Sequence, residues 1–167
     1  ILMNKSYRNT IEIASYANQL VGITGMDLFE RHGEPVEELS FNGGKKQAME
    51  AALEEIVNKL QLGGEQFETA AVILRTEAEA KEAARILKEK LENTGFDTKN
   101  RFSYLHRDST SFCKGLTVTT FYLAKGLEFD QVFSLFPSKD QSPIAKQGRY
   151  IAATRALHKL HMYEYGK

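Results

Sequence analysis

A chain of 167 residues that is 42% apolar, 26% charged and 10% aromatic can bury one real core, which excludes a disordered tail and a disulfide-stapled mini-protein. Lys plus Arg and Asp plus Glu both number 22, so net charge is zero and any contact with a polyanion must be local. No apolar run approaches the roughly 20 residues that span a bilayer, and the single Cys113 excludes an internal disulfide and fits a reducing, cytoplasmic compartment.

The chain opens Ile1-Leu2-Met3-Asn4 with neither a charged n-region nor a small-residue cleavage site, so it reads as lacking a signal peptide and as a piece of something longer. Asn9 and Glu12 have capping-box spacing, and Ile13, Ala14, Ala17 and Leu20 form an apolar stripe, which predicts a helix over 10–21. Val36–Phe41 alternates like a short strand. After Gly43-Gly44 a second helix turns Ala48, Ala52, Ile56 and Leu60 inward and ends at Gly63-Gly64. Ala70–Leu74 is a continuous apolar run, the pattern of a central strand covered by helices on both faces.

Thr76 and Glu79 form another capping box, opening an alanine-rich helix to about Leu91, with Glu77–Lys81 and Arg85–Glu89 as supporting pairs and Gly95 as its stop. Residues 96–113 show no clear periodicity. Leu116–Phe121 and Gln131–Phe136 are β-rich, Ser142-Pro143 starts a helix, and Leu157–Tyr165 is a last strand. This alternation predicts a single α/β domain with a mostly parallel sheet and helices packed on it. Charge is uneven along it. Glu30–Glu68 holds nine acids against four bases and reads as a solvated face, whereas Lys139–Lys167 holds six bases against two acids and is the stretch where a polyanion would bind.

Several catalytic signatures are missing. Gly43-Gly44-Lys45-Lys46 has neither the spacing nor the Ser/Thr of a phosphate loop, and no G-x-G-x-x-G follows a strand. His158 and His161, three apart on a predicted strand, point to opposite faces, and with His32 and His106 they make no metal cluster. No G-x-S-x-G elbow occurs. Three segments stand out instead, because charged residues interrupt apolar or tightly turning sequence: Asn4–Thr10, Thr120–Asp130 and Arg149–Ala156. In the second, Gly126 permits a tight turn that presents Glu128, which can accept hydrogen bonds from a sugar hydroxyl or pair with a nearby Lys. In the third, Arg155 shares a helix face with Ile151 and Ala152, so its guanidinium is aimed either at a phosphate or at a structural carboxylate. Arg8, just before the first helix, faces solvent or an anion.

Together these segments resemble the UvrD/Rep-like superfamily 1 DNA helicases. Ser6-Tyr7-Arg8-Asn9-Thr10 is similar to their motif IV, Ala124-Lys125-Gly126-Leu127-Glu128-Phe129 to motif V without a gap, and Tyr150-Ile151-Ala152-Ala153-Thr154-Arg155-Ala156 to motif VI. The resemblance covers residues 1–167 and implies the second, C-terminal RecA-like domain of such a helicase, a mostly parallel sheet with helices on both faces. It further implies that Arg8 and Arg155 reach the γ-phosphate of ATP as catalytic groups and that Glu128, beside Gly126, holds the ribose. Thr120, Tyr122 and Lys125 would approach single-stranded DNA. The phosphate loop and the Mg ligands would belong to an N-terminal RecA-like domain of the same polypeptide, so the chain alone is expected to be inactive.

Tyr122 stands where relatives commonly have His, and a tyrosine there can stack on a base or simply pack. Only about a hundred residues separate the motif IV-like and motif V-like segments, so a 2B-type insertion is missing or vestigial. The competing readings are a degenerate helicase-like module that binds nucleic acid or protein without motor activity, and a small-ligand α/β enzyme. The latter lacks a visible nucleophile, metal set or cofactor loop.

Overall fold

The structure, a computed structural model, describes residues 5–6, 10–20, 27–28, 35–62, 68–107 and 114–166. Strands β1 (Lys5–Ser6) and β2 (Asp27–Leu28) pair in parallel as a small ribbon of their own. Between them lies helix α1 (Ile11–Leu20). The buried Thr10 hydroxyl accepts the Ile13 amide at its start; the expected cap, Asn9, lies outside the described residues.

The main sheet has six strands: β3 (Glu37–Phe41), β4 (Thr69–Leu74), β5 (Phe102–Tyr104), β6 (Gly115–Thr120), β7 (Phe129–Pro137) and β8 (Ala156–Tyr165). Their order is β3-β8-β7-β4-β6-β5, and every pairing among the described residues is parallel. Helices α2 (Lys45–Leu62) and α3 (Glu77–Asn93) cover one face over Val72, Leu74, Leu116, Val118, Phe133 and Leu135. On the other face α1 and α5 (Pro143–Thr154) cover Ala71, Ile73, Val132, Phe136, Leu160 and Met162. Burial on both faces is why β4 reads as one apolar run, since neither side of the pleat meets water. Each such Leu, Ile or Phe contributes roughly 1.5–3 kcal/mol.

Capping sets the helix starts as the sequence predicts. Thr76 and Ser142 accept the amides of Glu79 and Ala145, and Pro143 occupies the first turn of α5. Residues 96–113 contain more than was expected. Asp97 caps the short helix α4 (Thr98–Arg101), which feeds edge strand β5. The ion pairs differ too: Arg85 binds Glu82 rather than Glu89, and Glu77 takes Arg107 rather than Lys81. Nor is 30–68 a purely solvated face, because Ala48, Ala52, Leu53 and Ile56 are in the core and Glu37 is held in a polar network.

That network lies under α2. His161 Nδ1 donates to Glu37 Oε1 (2.7 Å), Tyr163 donates to the same oxygen (2.6 Å), and Lys59 is 2.9 Å from Oε2. Burial pushes the His161 imidazole down to about 4, against the pull of Glu37. Burial alone would raise the Glu37 carboxyl, but hydrogen bonds from Lys59, Tyr163 and His161 outweigh it and hold the group at about 2. The other ring nitrogen, Nε2, lies 2.8 Å from Gln131 Oε1, so both ring nitrogens are engaged by side chains.

The chain crosses the α2/α3 face going from β3 to β4 and from β4 to β5, then returns over the opposite face from β6 to β7 and from β7 to β8. The β6–β7 crossover has no helix. Residues 121–128 alone carry it, passing over β4 with Phe121 and Ala124 buried on the α1/α5 side.

Candidate functional site

The β6–β7 crossover decides where the predicted residues fall. It starts at the carboxyl end of β6, where the Phe121 amide donates to the Leu74 carbonyl and the Ala124 amide to the Thr120 carbonyl. It ends at the amino end of β7 in a turn closed by the Leu127 amide on the Ala124 carbonyl (3.0 Å). Gly126 occupies the third position of that turn with φ of 83°, the left-handed conformation that a side chain disfavours. No atom lies within 4 Å of where its Cβ would be, so the turn faces open space.

At this amino end the third segment meets the second. Helix α5 closes with Arg155 as its C-cap, and the Phe129 amide donates to the Arg155 carbonyl (2.9 Å) as β7 and β8 begin side by side. The half-buried Arg155 side chain runs back over the crossover. Nη1 lies 3.4 Å from the Leu127 carbonyl and Nη2 3.2 Å from Thr154 Oγ1, whose hydroxyl donates to Ile151. Arg155, Gly126 and Glu128 thus share one end of the sheet. Asp130 fixes that end: its Oδ2 accepts the amides of Glu68 (3.0 Å) and Thr69 (3.1 Å), while its own amide donates to the Thr69 hydroxyl (2.9 Å). Arg8 lies outside the described residues.

Thr120 and Tyr122 sit at the opposite, carboxyl end. Tyr122 is 39% exposed and packs edge-on against Phe121 with ring centroids 5.4 Å apart. Thr120, expected to approach a strand, is 1% exposed, and its hydroxyl has no hydrogen-bond partner among the described residues. Lys125 is exposed in the same turn as Gly126, away from Tyr122's end. The structure therefore puts Arg155, Gly126 and Glu128 at one end of the sheet and Tyr122 at the other.

The basic stretch 139–167 is not exposed throughout. Arg149 is buried, donates to the carbonyls of Asp140 (2.8 Å) and Pro137 (2.9 Å), and lies over the Phe136 ring and beside Glu164. It fastens the turn after β7 to α5. Sequence reasoning also missed the crevice between the carboxyl ends of β4 and β7, where the connections leave for opposite faces and open α/β sheets commonly take ligands. An open groove of about 430 Å³ there is lined by Lys45, Arg75, Lys139, Asp140 and Tyr165. Its guanidinium is committed, since Arg75 binds Glu79 (2.6 Å) and Asp140 (2.7 Å). Hydrogen bonds from Ser142 first, then from Arg75, hold the Asp140 carboxyl well below the usual range. An Arg directly after an apolar strand, with Glu four residues on, was the available signal. No group of three His, Cys, Asp or Glu among the described residues could hold a metal ion, and no described helix is long and apolar enough to cross a membrane.

No protein-family model matches this sequence, and no curated protein does. Solved structures are similar. The C-terminal domain of a possible DNA helicase from Lactobacillus plantarum WCFS1 superposes with a TM-score of 0.70 at 21% identity, over 97% of this chain and 89% of that one. An arterivirus nonstructural protein 10 helicase in complex with DNA aligns over 78% of this chain and 30% of its own, with a TM-score of 0.43 and 15% identity, a likeness that carries no argument. The chain thus has the α/β, RecA-like fold of a helicase C-terminal domain.

Proposed function

We propose that this chain is the second RecA-like domain of an ATP-dependent superfamily 1 helicase or translocase of the UvrD/Rep type, acting on single-stranded DNA. The observation that carries the reading is the meeting of Arg155 with the Gly126–Glu128 turn, 28 positions away in sequence, at one sheet end. The donor set suits half of a nucleotide site: a planar guanidinium for phosphate oxygens, a carboxylate for sugar hydroxyls, and an open glycine turn between them. In this reading Arg155 and Arg8 hold the terminal phosphate and Glu128 the ribose, while Tyr122 and Lys125 meet the strand and Thr120, being buried, does not. ATP supplies the phosphoryl group, and an N-terminal RecA-like domain of the same polypeptide supplies the phosphate loop and the Mg ligands. The guanidinium groups neutralise charge that develops on the phosphoryl oxygens as the two domains close.

The test is Arg155→Ala in the polypeptide that carries both domains. Turnover number falls by roughly three to five powers of ten while ATP affinity changes little, and Arg155→Lys rescues poorly because an ammonium lacks the planar fork. A loss of affinity equal to the loss of turnover, or no loss of either, refutes the role.

A further inference from the structure

The guanidinium of Arg155, on which the proposed nucleotide site depends, is held by two acceptors from different parts of the chain. Nη1 lies 3.4 Å from the carbonyl of Leu127, in the turn between Gly126 and Glu128, and Nη2 lies 3.2 Å from Thr154 Oγ1. The first acceptor is backbone. The second is a half-buried side chain on the last residue of α5, a residue with no role in the proposed site so far.

The Thr154 hydroxyl has one proton, and the helix end claims it. Arg155, the C-cap, sends its amide back three residues to the Ala152 carbonyl (3.2 Å), not four to Ile151. Thr154 Oγ1 donates to the Ile151 carbonyl instead (2.8 Å), a back-bond that threonine makes within helices. With its proton committed there, Oγ1 meets Nη2 as an acceptor, and branching at Cβ stiffens the side chain that carries it. The end of α5 thus presents a fixed lone pair to the guanidinium. The two contacts need one N–H from each terminal nitrogen of a group that carries five, so a fork held this way can still donate to two phosphate oxygens. Arginine is rich in rotamers, and ordering it before the phosphate arrives removes that entropy loss from the step that needs the charge.

We infer that Thr154 is a positioning residue for Arg155, its hydroxyl orienting the guanidinium toward the terminal phosphate of ATP. This rests on the nucleotide-site reading and deepens it.

The experiment uses the polypeptide that carries both domains and compares Thr154→Val, which keeps the shape but loses the hydroxyl, with Thr154→Ser, which keeps the hydroxyl. Thr154→Val lowers kcat by roughly 10- to 100-fold, as displacement of a catalytic group by about 1 Å does, with KM for ATP nearly unchanged. Thr154→Ser recovers most of the loss. In an Arg155→Ala background Thr154→Val adds nothing, because a residue that acts through Arg155 has no group left to act on. A weakened helix end alone gives the same fold loss in both backgrounds. One readout needs no Thr154 variant: in nitrogen-15 NMR of the unsubstituted 167-residue chain, Arg155, assigned with Arg155→Lys, shows separate Nη–H signals, as hindered rotation requires. If Arg155→Ala loses turnover but Thr154→Val does not, or the two losses multiply, or the Nη–H signals average as in a freely rotating group, the positioning role is wrong and the nucleotide site stands. If Arg155→Ala keeps full turnover, both fail.

Discussion

Adding one methyl group to helix α5 tests how that helix sits on the crossover. Gly148 faces inward, and a Cβ there would lie 2.8 Å from Phe121 Cδ1, 2.9 Å from Phe136 Cε2 and 3.0 Å from Phe121 Cε1. Carbon atoms pack best at about 3.5–4.0 Å, so all three contacts are too close by about half an ångström or more. Overpacking of this kind costs about 1–3 kcal/mol, whereas replacing a mid-helix glycine with alanine recovers about 0.5–1 kcal/mol. The expected net effect of Gly148→Ala is a loss of about 1–2 kcal/mol, a fall in Tm of roughly 2–8 °C for a chain of this size. Phe136 is fully buried in a strand, so Phe121, in the crossover, is the ring that gives way. The assay is thermal unfolding followed by circular dichroism, repeated with Phe121→Leu and with the double variant. Leucine makes room for the methyl, so the double variant is more stable than the sum of the single effects requires. A raised Tm for Gly148→Ala, or strict additivity, refutes the packing argument.

Acid weakens the fold through His161. Its folded value of about 4 lies below the 6.5 of a free imidazole, so the unfolded chain binds the proton first and stability falls as pH drops from 6.5 towards 4, by up to about 3 kcal/mol; a urea midpoint flat across that window refutes this. Glu37 adds its own loss below pH 4.5, and His161→Gln flattens the upper part of the profile. Asp130→Ala strands the Glu68 and Thr69 amides at the start of β4 and costs about 1–3 kcal/mol, with Asp130→Asn milder because it keeps an acceptor oxygen; a loss under about 0.5 kcal/mol in urea unfolding refutes the clamp.

The legible parts of the fold were those where one local rule and the tertiary structure agree. Ala70–Leu74 was the best candidate for a central strand between two helical layers, and Ser142-Pro143 and Thr76 carry their caps in their own side chains. Strand β5 was not legible because it has only three residues at a sheet edge, all partly exposed, and so shows neither alternation nor a continuous apolar run. Asp97, accepting the Asn100 amide, was the one local sign of order in that stretch. Arg149 misled by composition: counted as surface charge, it turns inward because the carbonyls of Pro137 and Asp140 need a donor. At the candidate site, the turn geometry of Gly126 was readable from residue type, but the burial of Thr120 was not. Alternation puts Thr120 on the α2/α3 face of β6, and nothing in its own sequence announces what covers it.

The helix-free crossover from β6 to β7 is also nearly taut. Thr120 is level with Leu74 and Leu135, while Phe129 lies six residues back along β7, roughly 20 Å away along the strand direction, and two strand spacings add about 10 Å sideways. Nine residue steps span at most about 30 Å when fully extended, and this segment spends some of that length on two turns. A tether so short has no slack from which to lose a residue. Shortening, one of the two ways in which an α/β domain varies a loop, is closed off here, whereas an added residue can bulge from the open turn at Gly126. The groups at the two ends of the sheet can therefore be retuned by substitution or by lengthening the segment that joins them, but not by trimming it.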